Sequence, residues 1–222
     1  MKILSMLFYF FAHHGAWSFF VLLITGIVIS FWRSSVFYVI LSFVLALANV
    51  FTGQFVNAIF LAHYGVRGSA VVTLEQETSS TLNDSPIWDY DAVVQTADGK
   101  DVVTDFSTTT ASIYPIRNEI IIPPRGERFI VKYIPGFERN IVIMRDESPY
   151  GIQRKIAENL QPLYKAQGEY NSNTKNESFR KAYVQALKDY IKNPENARDS
   201  LHIKTFKSII QDLTNPSSVN QP

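Results

Sequence analysis

The chain has 222 residues, with 21 Lys plus Arg, 20 Asp plus Glu, no Cys and a formal net charge of +1. Only Lys2, Arg33 and Arg67 are charged before Glu75, and every acid lies from Glu75 onward, so two different materials meet near Gly68. That division excludes a single soluble domain, a disordered chain, a disulfide scaffold and a strongly basic nucleic-acid binder.

Lys2 precedes an apolar stretch from Ile3 to Ala12. No small-x-small site follows, since the sequence continues Ala12-His13-His14-Gly15, so the stretch reads as part of an uncleaved anchor rather than a removed signal. It either lengthens the first span or lies in the interface. Residues 14–32 and 36–62 predict two transmembrane helices, because Ala16 to Trp32 and Val36 to Ala62 are uncharged over 17 and 27 residues. A hydrocarbon core of about 30 Å needs about 20 apolar residues in a helix, the form that satisfies its own backbone in lipid. Trp17 and Trp32 suit the interfaces. Lys2 and Arg67 flank the pair and only Arg33 lies in the link, which predicts both termini on the cytoplasmic side. The lack of Cys agrees with a reducing compartment.

In the second span Ser42, Ala46, Asn49, Gly53 and Asn57 recur at three- and four-residue intervals and share one face. The first span has a similar line at Ser18, Leu22, Thr25, Gly26 and Ile29. Small and amide side chains let helices approach and bond where lipid offers no partner. Two readings stand: packing within the hairpin or an oligomer, and a polar path through an oligomer.

After Arg67 the pattern turns to period two, and Ser69–Glu77, Ile87–Thr96, Asp101–Thr108, Arg128–Ile134 and Asn140–Met144 predict five strands. Ala97-Asp98-Gly99-Lys100 and Pro135-Gly136 are turns, and Pro123 to Gly126 marks a longer crossing. Five short strands predict a small SH3-like or OB-like barrel or a curled sheet.

The order Tyr64-Gly65-Val66-Arg67-Gly68-Ser69-Ala70-Val71-Val72, then Tyr90 to Val94 with Ala97-Asp98-Gly99-Lys100, then Pro124-Arg125-Gly126-Glu127-Arg128 to Pro135-Gly136 resembles a bacterial family. It is the family of membrane-tethered small β domains known as a domain of unknown function. The resemblance covers about residues 60–145. The chain departs from the family pattern at Ala92, where the family often has Pro, at Glu127, where it has Asp, and in a longer loop from Thr108 to Arg125. The resemblance implies a β domain tethered beside a membrane and implies no catalytic residue.

Asp84, Trp88, Asp89 and Asp91 form a ligand-loop candidate, although a calcium loop has a turn Gly where this segment has Pro86. The alternative is a polar strand entry facing water. From Ser148-Pro149 the pattern is helical: Ile152, Ile156, Leu160 and Leu163 lead to Pro162, expected to kink or end the helix, and Gly168 to Asn176 reads as a flexible connection. A second helix carries Phe179, Tyr183, Ala186, Leu187, Tyr190 and Ile191, and a third turns Leu201, Phe206, Ile209, Ile210 and Leu213 inward. These stripes pack on one another or on the barrel, or else Phe179, Tyr183, Leu187, Tyr190, Phe206 and Ile210 form a surface for a protein partner.

No H-E-x-x-H, P-loop, dinucleotide or G-x-S-x-G spacing occurs, and His63 and His202 have no evident catalytic partner, so no catalytic, cofactor-binding or metal residue is expected. The expected architecture is an α+β membrane protein: a transmembrane hairpin (1–66), a β-rich domain (67–146), a helical appendage (147–214) and a flexible tail (215–222). The expected role is a multi-pass inner (cytoplasmic) membrane protein that is not an enzyme and acts as a protein-interaction module. Its partners would be membrane lipid and an unidentified protein, with no nucleic acid. A homo-oligomeric channel or transporter subunit and a toxin-binding immunity protein are the alternatives.

Overall fold

The computed structural model describes residues 1–215, so the expected flexible tail lies outside the described residues but for Asn215. The chain divides into two bodies, one from Met1 to Tyr150 and the other from Gly151 onward. The hairpin and the β-rich domain, expected as separate domains, therefore belong to one body.

That body begins with three helices: α1 (Lys2–His13), α2 (Gly15–Arg33) and α3 (Phe37–Tyr64). Both α2 and α3 are long and apolar enough to cross a membrane. Their outward faces expose large apolar side chains such as Trp17, Phe31, Trp32 and Phe51. The chain reverses between them at Ser34, whose φ of 49° is left-handed, and Ser30 Oγ–H donates to the Ser35 carbonyl at 2.8 Å. The apolar stretch from Ile3 is a helix of its own, broken from α2 at His14.

Gly65 alone separates α3 from the first strand. Six strands follow: β1 (Val66–Leu82), β2 (Ser85–Gln95), β3 (Asp101–Ser107), β4 (Ile113–Tyr114), β5 (Arg128–Ile134) and β6 (Phe137–Met144). They form one mixed sheet in the order β3-β2-β1-β5-β6-β4, antiparallel except for the β4–β6 pair. Its turns follow the expected chemistry, with Gly99 and Gly136 at φ of 81° and 88°. At the tip of β1–β2, Asn83 and Asp84 both have positive φ and form a two-residue turn between the paired Leu82 and Ser85.

The sheet does not close into a barrel, so the SH3-like or OB-like alternative gives way to the curled sheet. Thr104 Oγ1–H on β3 donates to the Arg139 carbonyl on β6 at 2.6 Å, yet no ladder joins these strands. Along β6 the strand pairing is taken up instead by β4, at Ile143 and Met144. Ala70, Val72, Ala92, Val94, Phe129 and Val131 fill the inner face. The outer face of β5–β6 is covered too, because Ala58, Leu61 and Phe8 of the helices pack on Ile134, Val142 and Met144.

The second body is helical, built from α4 (Pro149–Ser172), which begins just before it, α5 (Glu177–Lys192) and α6 (Ser200–Thr214). Pro162 neither ends nor interrupts α4, which runs on through Gly168 to Ser172. Leu160, Leu163 and Ala166 anchor it in the core, and Tyr170 stacks on Tyr183 with ring centres 5.7 Å apart. Tertiary packing thus outweighs the local preference of a Pro and a Gly. Asn176 caps α5, accepting from the backbone N–H groups of Ser178 and Phe179 at 2.9 and 3.3 Å. Leu201, expected inward, is 74% exposed.

Asp199 caps α6 and is the polar centre of this body. It accepts from the Tyr190 hydroxyl, from the His202 backbone N–H at 3.4 Å, and bonds His202 Nδ1 at 2.7 Å. Burial alone would raise its pKa, but the bonds from Tyr190 and His202 hold it below the ordinary carboxylate value. A depressed carboxylate adds stability above its unfolded pKa and loses it as pH falls through the folded value. Amide exchange in α5 and α6 is therefore expected to quicken as pH falls below about 4, after correction for intrinsic rates. Asp199→Ala is expected to raise exchange there at neutral pH by about 10- to 100-fold, the effect of about 1–3 kcal/mol, and to abolish the acid dependence. Unchanged protection in the variant would show that the cap carries no stability.

Candidate functional site: the joint between the long helices and the sheet

The small-residue face of α3 is turned inward along its whole length. Ser42 lies against Gly26 of α2, where a Cβ would come 1.8 Å from Ser42 Oγ. Ala46 is fully buried. Asn49 Nδ2–H donates to Ser18 Oγ at 2.9 Å and to the Phe11 carbonyl at 3.1 Å. A Cβ on Gly53 would stand 2.7 Å from the same carbonyl. The contacts fall from Gly26 to Ser18 to Phe11 as α3 rises from Ser42 to Gly53, so α2 and then α1 run antiparallel to α3. Within the chain this face is a packing face. On the first span Thr25 is exposed, while Ser18 and Gly26 are buried.

Asn57, the last member of the face, faces the sheet. It and Asn140 of β6 are fully buried and exchange bonds reciprocally: Asn57 Nδ2–H to Asn140 Oδ1 at 2.8 Å and Asn140 Nδ2–H to Asn57 Oδ1 at 3.0 Å. The second N–H of Asn57 donates to Ser112 Oγ at 2.9 Å, and that of Asn140 reaches Ser5 Oγ and the Ser5 carbonyl, each at 3.0 Å. Ser112 Oγ–H in turn donates to the Gln54 carbonyl at 3.2 Å. Every polar atom of the two amides is bonded, and reversing either amide would set like groups against each other. A buried network that is fully satisfied favours one arrangement of its parts.

Around this centre the sheet holds the helix ends. Lys132 Nζ–H on β5 donates to the Ala62 carbonyl at 2.6 Å, one of the carbonyls left without a helical partner at the end of α3. Arg139 on β6 binds Asp105 at 3.0 Å and places its guanidinium 5.3 Å from the Tyr9 ring centre on α1. Phe137 meets the same ring edge-on at 5.4 Å.

Beside the joint Tyr9, His13 and His14 face Asp89, Asp91, Asp105 and Ser107 across an open cleft of about 490 Å³. The register explains the acids, because Asp91 pairs with Asp105 and Asp89 with Ser107, placing all four on the outer face of β2–β3. No group of three or more His, Asp or Glu among the described residues is arranged to hold a metal ion. The ligand-loop candidate is only half assembled: Asp89 and Asp91 share this cleft, whereas Asp84 sits at the distant hairpin tip and Trp88 packs on the inner core.

The other predicted site residues are placed differently from the partner-surface reading. Tyr183, Leu187, Tyr190 and Phe206 are buried in the core of the helical body, with Ile210 packed against them, and Phe179 is half-buried. Each helix of this body buries its apolar stripe against the other two.

Sequence reading found Asn57 but missed Ser5, Ser112, Lys132, Arg139 and Asn140. Asn140 alone carried a signal, as an amide directly before the apolar run Ile141-Val142-Ile143-Met144. Comparison with protein-family models, with curated proteins and with solved structures finds no match.

Proposed function

We propose that this chain is a membrane-anchored, non-enzymatic protein-interaction module, a scaffold, regulator or accessory subunit of an inner-membrane complex. In this reading α2 and α3 cross the membrane with both termini on the cytoplasmic side. The amide-centred joint then holds the sheet in one attitude at the end of the spanning pair. That joint is the observation that carries the reading, because a flexible tether would need neither a one-residue link into β1 nor four polar side chains buried between helix and sheet. The face held out is the outer side of β2–β3, with Asp89 and Asp91 and the 70% exposed Val103, which suits a protein partner with a basic, partly apolar surface. The resemblance to membrane-tethered β domains belongs to the same reading. A polar path has less support, since Ser42, Asn49, Gly53 and Asn57 are engaged within the chain.

The test is two measurements on native membranes. The chain is expected to stay in the pellet after alkaline carbonate extraction, and release into the supernatant would end the anchor reading. Crosslinking before mild detergent extraction, with capture through a terminal tag, is expected to retain a stoichiometric foreign protein that Asp89→Lys/Asp91→Lys releases. A homogeneous self-oligomer with nothing else attached would sink the module reading.

A further inference from the structure

The last turns of α3 extend beyond what a hydrocarbon core requires. At 1.5 Å per residue its 28 residues span about 42 Å against about 28 Å for the 19 residues of α2, and because the two meet at the short link the excess of about 14 Å lies at one end, that of Tyr64. Antiparallel pairing uses α2 against the first part of α3 and leaves α1 beside its end, at the level of the headgroups. An ordinary water-facing surface would turn polar there. It does not: Ile3 is 80% exposed, and Leu4, Leu7, Val56 and Ile59 are exposed with it.

Between the two helices Phe8, Val56, Ile59, Phe60, His63 and Tyr64 line an open groove of about 340 Å³. Phe8 and Phe60, with ring centres 4.7 Å apart, touch each other and close its floor. The groove is not an isolated patch. Leu41, Leu45, Ala48 and Thr52 form an exposed stripe at helical spacing that continues into Val56, Ile59 and His63, so the same side of α3 runs from mid-span into the groove. Its polar members, His63 and Tyr64, stand at the far end, where an aromatic hydroxyl and an imidazole suit an interface.

We infer that this groove binds the acyl chain of a phospholipid whose headgroup lies at His63 and Tyr64. The inference rests on the membrane-anchor reading and deepens it. Continuity with the outward stripe of α3 selects lipid as the occupant, and an acyl chain needs no polar partner from the apolar walls.

The test reconstitutes the full chain in phosphatidylcholine vesicles containing a phosphatidylcholine with a diazirine in one acyl chain, followed by irradiation and peptide mapping. Adducts are expected on Phe8, Val56, Ile59 and Phe60 as well as on Leu41 and Leu45. Ile59→Asp is expected to lower the yield at Phe8 by about tenfold, equivalent to about 1.4 kcal/mol, and to leave Leu41 and Leu45 unchanged. Labelling of Leu41 and Leu45 without Phe8 or Ile59 would overturn the inference while the anchor reading stands. Crosslinks from Phe8 to a second copy would overturn it in favour of self-association. No labelling anywhere would remove both readings. If Ile59→Asp does not insert, the labelling pattern of the parent chain decides.

Discussion

Gly26→Ala is expected to push α2 away from α3 and to cost about 1–3 kcal/mol, with Gly26→Leu costing more. A Cβ at this position would stand 1.8 Å from Ser42 Oγ, 2.3 Å from Ser42 Cβ and 2.8 Å from the Tyr38 carbonyl. Rotating the Ser42 hydroxyl relieves the first clash only; Cβ and a backbone carbonyl cannot move without the helix. On the membrane-anchor reading this matters more than in a soluble core, because close van der Waals approach is a main source of helix association in lipid. The measurement is unfolding of the detergent-solubilised chain by increasing sodium dodecyl sulfate, followed by tryptophan fluorescence in a Trp88→Phe background, where Trp17 and Trp32 report. Adding Ser42→Gly to Gly26→Ala should recover part of the loss, since it removes two of the three clashing atoms. Gly15→Ala is the control, because nothing lies within 4 Å of a Cβ there. A Gly26→Ala chain as stable as its parent would mean that the two helices do not meet at this point.

The second large effect belongs to the amide pair. Asn140→Leu strands the buried Asn57 amide, and Asn57→Leu strands Asn140, so each single change is expected to cost about 1–3 kcal/mol. The double change Asn57→Leu/Asn140→Leu leaves no amide unpaired and fills a similar volume. It is expected to cost less than the sum of the singles by about 1–2 kcal/mol, the coupling of groups that share bonds. Amide exchange in β6 and in the last turns of α3 reads the local effect, and the denaturation midpoint reads the global one. Additive costs would show that the two side chains do not act as a pair. Asn140→Leu should also loosen α1, because Asn140 holds Ser5 through its second N–H.

Local signals in the sequence marked most elements. Two long runs without charge marked α2 and α3 as helices long and apolar enough to cross a membrane. Alternation of apolar and polar residues marked β2, β3 and β5 to within a residue or two, and Gly99 and Gly136 marked their turns, because a strand buries one face at a time and glycine alone adopts these φ values freely. The short β4 was invisible: two residues have no period, and Ile113–Tyr114 is a strand only because β6 offers it a free edge.

Contacts between distant residues are what the sequence left open. It put Asn57 on the small-residue face of α3 but gave no sign that this residue leaves the helix pair and meets Asn140, 83 positions later, or that Ser5 reaches the same amide across 135. The apolar stripes of α4, α5 and α6 were legible, yet whether they met one another or a partner was not, since periodicity states which side is buried and never against what. The same limit applies to Pro162: local preference predicted a break, and the packing of Leu160, Leu163 and Ala166 overrode it. By itself, then, the sequence determined the long apolar helices, five of the six strands and the glycine turns between strands, because those depend on side chains a few residues apart. Tertiary structure decided that the sheet stays open, that helices and sheet form one body, and that an amide pair joins them, because each depends on which distant groups can satisfy one another away from water.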